Sequence, residues 1–103
     1  MITVEILSEA EAELTAAVLY YQAREPHLAL EFLDLANRQM LRVVENPLRY
    51  PSIHGTIRRT ILPRFPFGII YSVEAEKIIV IAVMHLKRRP NYWRKRLDKD
   101  ENN

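Results

Sequence analysis

Seven consecutive apolar residues, Ile78-Ile79-Val80-Ile81-Ala82-Val83-Met84, run straight into twelve residues, His85 to Arg96, of which six are Lys or Arg. An apolar run of this length, bounded by charge, reads as a strand buried on both faces. Its end therefore holds His85 and a basic-aromatic cluster at a fixed place on the surface. Rigidly delivered Arg, His, Tyr and Trp side chains suit a phosphate-bearing or acidic partner, whereas the plainer reading of the same segment is solvated basic surface.

The net charge of +2 hides a steep division along the chain. Residues 1–36 carry seven acidic side chains and one basic, residues 37–97 carry thirteen basic and three acidic, and residues 98–103 carry three acidic and one lysine. If the halves occupy different faces, the molecule has a polar field directed at nucleic acid or an acidic protein. With 103 residues, 49% of them hydrophobic, the chain forms one domain over 1–97 with its own core, followed by a tail at 98–103 expected to fray. The absence of cysteine excludes thiol catalysis, zinc ribbons and disulfide frameworks. No segment reaches the ~18 apolar residues of a membrane span, so the expectation is a cytoplasmic protein without membrane contact.

Residues 2–7 alternate as a first strand. Ser8 with Glu11 forms a capping box, and Ala10, Leu14, Ala17, Val18 and Tyr21 fall at helical spacing as far as Arg24. Glu25-Pro26 separates this helix from a second, whose stripe is Ala29, Phe32, Leu33, Ala36, Met40, Val43 and Val44 and which stops at Asn46-Pro47. Residues 47–55 read as a loop. Strands are expected at Thr56–Leu62, Phe65–Val73 and Lys77–Met84, with connections short enough for antiparallel hairpins. The fold class is therefore α+β: a strand, a helical hairpin, then a three-stranded antiparallel meander, with the helices on one sheet face and the other face partly open.

This order, together with Tyr20-Tyr21, Asn46-Pro47, Tyr50-Pro51, Arg58-Arg59, Arg64 through Tyr71 and His85 through Trp93, resembles the toxins of type II toxin–antitoxin systems in the RelE/ParE superfamily, often labelled plasmid stabilisation proteins. The resemblance runs from about residue 3 to Leu97. It implies a RelE/ParE-like fold and a cognate antitoxin as partner. RelE-like members cut mRNA on the ribosome; ParE-like members inhibit DNA gyrase without catalytic chemistry. The reading placed first is ribosome-dependent mRNA cleavage by a metal-independent RNase, and the alternatives are a gyrase inhibitor or a decayed, binding-only toxin. A homodimer through the second helix or the tail is a further possibility.

A metal-free RNase needs a group to take the 2′-hydroxyl proton, one to protonate the leaving oxygen, and cations for the phosphorane. His85, Tyr92 and Arg58 are the catalytic candidates; Arg59, Arg64, Lys87, Arg88 and Arg89 are the RNA-binding ones. His85 shares strand parity with Ile79, Ile81 and Val83, so its ring is expected on their face. Arg58 and Arg59 must point to opposite faces, and the one nearer the helices is positioned to pair with Glu31 or Asp34. Tyr92 and Trp93 suit base stacking, although Trp93 also suits packing against the sheet or the first helix. Removal of residues 86–103 is expected to leave a folded but inactive domain. His27 and His54 show no ligand spacing, and neither a metal nor a cofactor is implied. Where some nuclease members of the superfamily place a glutamate after the second helix, this chain has Arg49.

Overall fold

The computed structural model describes residues 2–97, and the expected fraying of 98–103 lies outside the described residues. β1 (Thr3–Ile6) leads into α1 (Ser8–Arg24) and α2 (Pro26–Glu45), followed by β2 (Ser52–His54), β3 (Ile57–Ile61), β4 (Phe67–Glu74) and β5 (Lys77–His85), with a 3-10 turn at Tyr92–Arg94. The sheet has five strands in the order β1-β5-β4-β3-β2. The meander β3-β4-β5 is antiparallel as expected, while β1 returns to pair parallel with β5, Val4 opposite Ile78 and Ile6 opposite Val80. The segment expected as loop 47–55 contains the short edge strand β2, whose register with β3 is irregular.

The capping box does not form. The Leu7 amide still donates to Val80 O in the sheet, and the Leu7 carbonyl already accepts from the Glu11 amide, so α1 begins at Ser8 itself. The helix starts directly off the strand, and the Ser8 hydroxyl donates to the Glu9 carboxylate instead of capping the helix. At the other end, Glu25 in extended conformation and Pro26 in the first turn of α2 separate the two helices, as the sequence dictates.

α1 and α2 cover one face of the sheet. Ala17, Phe32, Ala36, Phe65, Phe67 and Val83 form the centre of that core, with Tyr21 packed edge-on against Phe65 and Phe67. Tyr20 stands on the outer side of α1, largely exposed. One buried position of α2 is polar: Gln39 Nε2 donates to Thr60 Oγ1 at 2.5 Å and to Tyr50 Oη at 3.2 Å. This side chain ties α2 both to β3 and to the loop that follows α2.

The opposite face is more covered than the sequence implied. Trp93, 1% exposed, sits among Ile57, Ile70, Ile81, Ala82 and Met84, with Leu7, Ile79, Tyr92 and Leu97 around them. The basic C-terminal segment is thus the lid of a second core. Burying an indole at this level removes a large apolar area from water, and loss of the segment would expose the whole cluster. The expectation that residues 86–103 are dispensable for folding is therefore corrected: a chain ending at Arg89 should lose its cooperative unfolding transition in urea, and Trp93→Ala should cost about 3–5 kcal/mol. Denaturant titration followed by far-UV circular dichroism checks both.

Candidate functional site

β5 is nine residues long, but β1 pairs only with its first half. Beyond Val80 the outer edge of β5 has no neighbouring strand among the described residues, and its peptide groups on that edge need other partners. Glu13 of α1 and Arg96 supply them. The Val83 amide donates to Glu13 Oε1 at 3.0 Å, and Arg96 Nη1 donates to Ile81 O at 2.9 Å. The two side chains meet in a two-pronged ion pair, Arg96 Nη1 to Glu13 Oε1 at 2.8 Å and Nη2 to Oε2 at 2.9 Å, and both are mostly shielded from water, at 16% and 14% exposed. The Tyr92 hydroxyl donates to Glu13 Oε2 at 2.6 Å. Arg96 and Arg88 lie over the Tyr92 ring at 5.0 and 4.0 Å, and Arg88 Nη1 stands 3.9 Å from Glu13 Oε2.

Burial pushes the Glu13 carboxyl up, but the hydrogen bonds from Arg96, Tyr92 and the Val83 amide outweigh it and hold the group below its ordinary value. Burial, and then the hydrogen bond to Glu13, raise the Tyr92 phenol above its usual range. The bond to Glu13 likewise raises Arg96, against a smaller opposing effect of burial. The cluster is thereby held with Glu13 and Arg96 charged and the Tyr92 phenol neutral. Glu13 is not among the site residues the sequence analysis singled out; the signal for it was its place one turn before Ala17 on the buried side of α1, together with a cationic tail in need of a partner.

The catalytic candidates do not converge. Arg58 lies opposite Tyr71 and His85 opposite Phe67. Four residues along β4 amount to about 13 Å, with the width of two strand spacings, about 10 Å, across the sheet as well. Arg58 and Arg59 do face opposite sides. Arg58 is on the helix side, but its partners are the carbonyls of Tyr50 at 2.6 Å and Leu48 at 3.3 Å rather than Glu31 or Asp34. Glu31 pairs instead with Arg64, and Asp34 pairs with Arg38 one turn along α2 at 3.0 Å. Together with Tyr71 Oη donating to Pro47 O at 2.7 Å, Arg58 pins the loop after α2. Arg59 lies on the Trp93 side, its stem packed over Gly68, where a Cβ would stand 3.5 Å from it and 3.2 Å from Thr60 O. Arg64 occupies a left-handed conformation, φ 69°, in the β3–β4 connection, held there by Glu31.

His85 departs from its expected face for a specific reason. Ile70 pairs with Ala82 but Tyr71 pairs with Val80, so Ile81 is an extra residue that inverts the parity of β5. Ile79 and Ile81 face the Trp93 side, whereas Val83 and His85 share the helix side with Val80 and Ile78. The imidazole stands edge-on to Phe67, centroids 5.1 Å apart, and Nδ1 accepts the Lys87 amide at 3.1 Å, which leaves the ring proton on Nε2. Lys87 and Arg89 are exposed. Arg94 of the same segment is bonded through Nη2 to His54 Nδ1 at 2.9 Å.

His85 opens onto a cleft of about 650 Å3 between the second half of α1 and the ends of β4 and β5. Ala16, Leu28, Pro66, Phe67 and Val83 make its apolar lining, and Arg24 and Arg88 stand at its rim with Tyr20 and Tyr21. Arg24 lies 4.5 Å over the Tyr20 ring. Of the residues singled out in the sequence for catalysis or RNA binding, His85 and Arg88 line this cleft, while Arg58, Arg59 and Arg64 do not.

The Glu13 site makes a prediction about pH. Because its folded pKa is depressed, Glu13 contributes stability that is present above the ordinary glutamate value of about 4.3 and is lost as pH falls through the lower folded value. Glu13→Gln should be less stable than wild type by on the order of 3 kcal/mol near pH 7, since it leaves Arg96 without its counter-charge. The gap should narrow steadily as pH is taken below about 4, as read from urea unfolding midpoints across pH 3 to 7.

Two comparisons bear on this architecture. A solved structure described as a chromosomal ParDE toxin–antitoxin system from P. aeruginosa superposes with a TM-score of 0.74, covering 84% of this chain and 98% of that one at 21% sequence identity, which shows the shared fold. Among curated protein sequences none matches the chain. Residues 4–90 match the family described as the ParE toxin of the type II toxin–antitoxin system parDE, a stretch that takes in β1 apart from Thr3, both helices, β2 to β5 and Arg88. The chain belongs to the ParE toxin family.

Proposed function

We propose that this toxin acts by binding DNA gyrase rather than by cleaving mRNA, and that it is held inactive by a cognate antitoxin. The observation that carries this reading is the dispersal of the acid–base candidates. A nuclease needs its proton-transfer groups and cations within hydrogen-bond reach of one scissile phosphate. Here the Tyr92 hydroxyl is committed to Glu13, Arg58 is committed to loop carbonyls more than ten ångströms from His85, and Arg59 faces away from both. A phenol whose proton is held this tightly is a poor acid or base at neutral pH. Membership of the ParE family supports the same choice, as does Arg49 at the position where some nuclease relatives carry a glutamate.

A protein that inhibits by occupancy needs a rigid surface with cationic and apolar features, and the exposed Lys87 and Arg89 beside the cleft fit that requirement. Expression of the wild-type chain without its antitoxin should therefore accumulate gyrase–DNA cleavage complexes while mRNA 5′ ends stay unchanged. His85→Ala and Tyr92→Phe should remain toxic at matched expression, Tyr92→Phe at a stability cost of about 1 kcal/mol for its lost hydrogen bond. New mRNA ends at ribosome-bound codons, abolished by His85→Ala, would instead establish the nuclease reading.

A further inference from the structure

The outer face of α2, opposite its buried residues Ala29, Phe32, Ala36 and Val43, carries a pattern that the fold does not use. Leu30 and Leu41 are 72% and 64% exposed, the two most exposed large apolar side chains among the described residues. At about 100° per residue, Leu30, Asp34, Asn37 and Leu41 fall in one narrow stripe, at the four- and three-residue spacing that joins two helices along a seam. A single exposed leucine needs no explanation, but two in register on one helix face do. The charges beside the stripe are also ordered: Glu31 and Asp34 lie in the first half of α2, Arg38 and Arg42 in the second, all on the same flank. Arg38 and Asp34 pair with one another at 3.0 Å, yet their side chains are 70% and 58% exposed, and such a contact is weak in water. Both can turn to a second chain at little cost.

We propose that this face of α2 is a homodimer interface, in which two copies pack antiparallel about a two-fold axis that passes between Asp34 and Asn37. In that arrangement Leu30 of each copy covers Leu41 of the other, the Asn37 side-chain amide donates to the second copy's Asp34 carboxylate, and Arg38 reaches the same carboxylate from the flank. The two leucine pairs stand about 16 Å apart, with the polar layer between them setting the register. Charge complementarity selects both the occupant and the orientation. The acidic first half of one α2 lies along the basic second half of the other, whereas a parallel pair would bring Asp34 to Asp34. A second copy supplies this match by symmetry alone. Confined to one helix face, the contact falls below about 1,200 Å2 of buried surface, at the low end of specific interfaces, so the dimer should form and dissociate in the micromolar range. The proposal does not depend on which target the toxin takes.

Sedimentation equilibrium of the purified full chain, free of antitoxin and taken across the micromolar range, tests this, with thermal melting measured at concentrations where the chain is monomeric. The wild type should pass from monomer to dimer as concentration rises. Leu41→Lys should weaken association about tenfold or more and leave the melting temperature of the monomer near the wild-type value, because Leu41 is outside the core. Asp34→Arg and Arg38→Asp should each self-associate poorly, yet combine on mixing into a dimer as strong as the wild type. The chain has no cysteine, so introduced thiols report orientation cleanly. Leu30→Cys should form a disulfide with Leu41→Cys in an oxidised mixture, and neither should form one with itself. A wild type that stays monomeric throughout overturns the proposal, as does a dimer that Leu41→Lys leaves intact or a Leu30→Cys chain that cross-links to its own kind. A monomeric wild type whose Leu41→Lys variant loses affinity for the antitoxin or for gyrase would overturn it too, by assigning the face to that protein.

Discussion

The ion pair between Glu13 and Arg96 finishes a sheet edge that the strands leave incomplete. β1 pairs with only half of β5, and the Val83 amide and Ile81 carbonyl beyond it are satisfied by the two side chains rather than by another strand. Because Arg96 belongs to the segment that carries Trp93, the same contact that closes the edge on the helix side of the molecule fastens an apolar lid on the other side. A bare β-edge is a site for pairing with other chains. Here that stretch is blocked by groups which would leave a buried charge uncompensated if separated.

This constraint changes what the basic C-terminal segment means. Six Lys or Arg residues in twelve resemble an electrostatic footprint for nucleic acid, but they divide by role once the fold is known. Arg96 alone is shielded from water, held by Glu13 and Ile81; Arg94 is bonded to His54 and Arg88 is turned over Tyr92 while both stay exposed, together with Lys87, Arg89 and Lys95. Three of the exposed cations are thus unconstrained by these contacts and two are held in fixed orientations. What remains is a surface suited to protein recognition: a rigid scaffold, an apolar cleft, and a few oriented charges.

Most of the architecture was legible because it follows from periodicity and punctuation. Glu25-Pro26 and Asn46-Pro47 bounded the helices, and the apolar runs gave the three meander strands to within a few residues. Features that depend on pairing were not legible. The parallel return of β1 to β5 is a long-range choice, and the extra residue at Ile81, which moves His85 to the helix face, is invisible in an unbroken apolar run because every residue there suits either face. Gln39 was overlooked since a glutamine on an otherwise apolar stripe is buried only when partners such as Thr60 and Tyr50 wait for it. Glu13 hid for the same reason: its partners Tyr92 and Arg96 lie about eighty residues further on.

The most direct measurement of whether the tail closes the sheet is native-state hydrogen exchange at the Val83 amide. If Glu13 and Arg96 complete the edge of β5, this proton should exchange only through global unfolding in the wild-type protein, and protection should fall sharply in Glu13→Ala while amides in the centre of β4 follow only the change in overall stability. An amide at Val83 that exchanges as fast as an open strand edge in the wild type, with Trp93 fluorescence showing a solvent-exposed indole, would contradict the account.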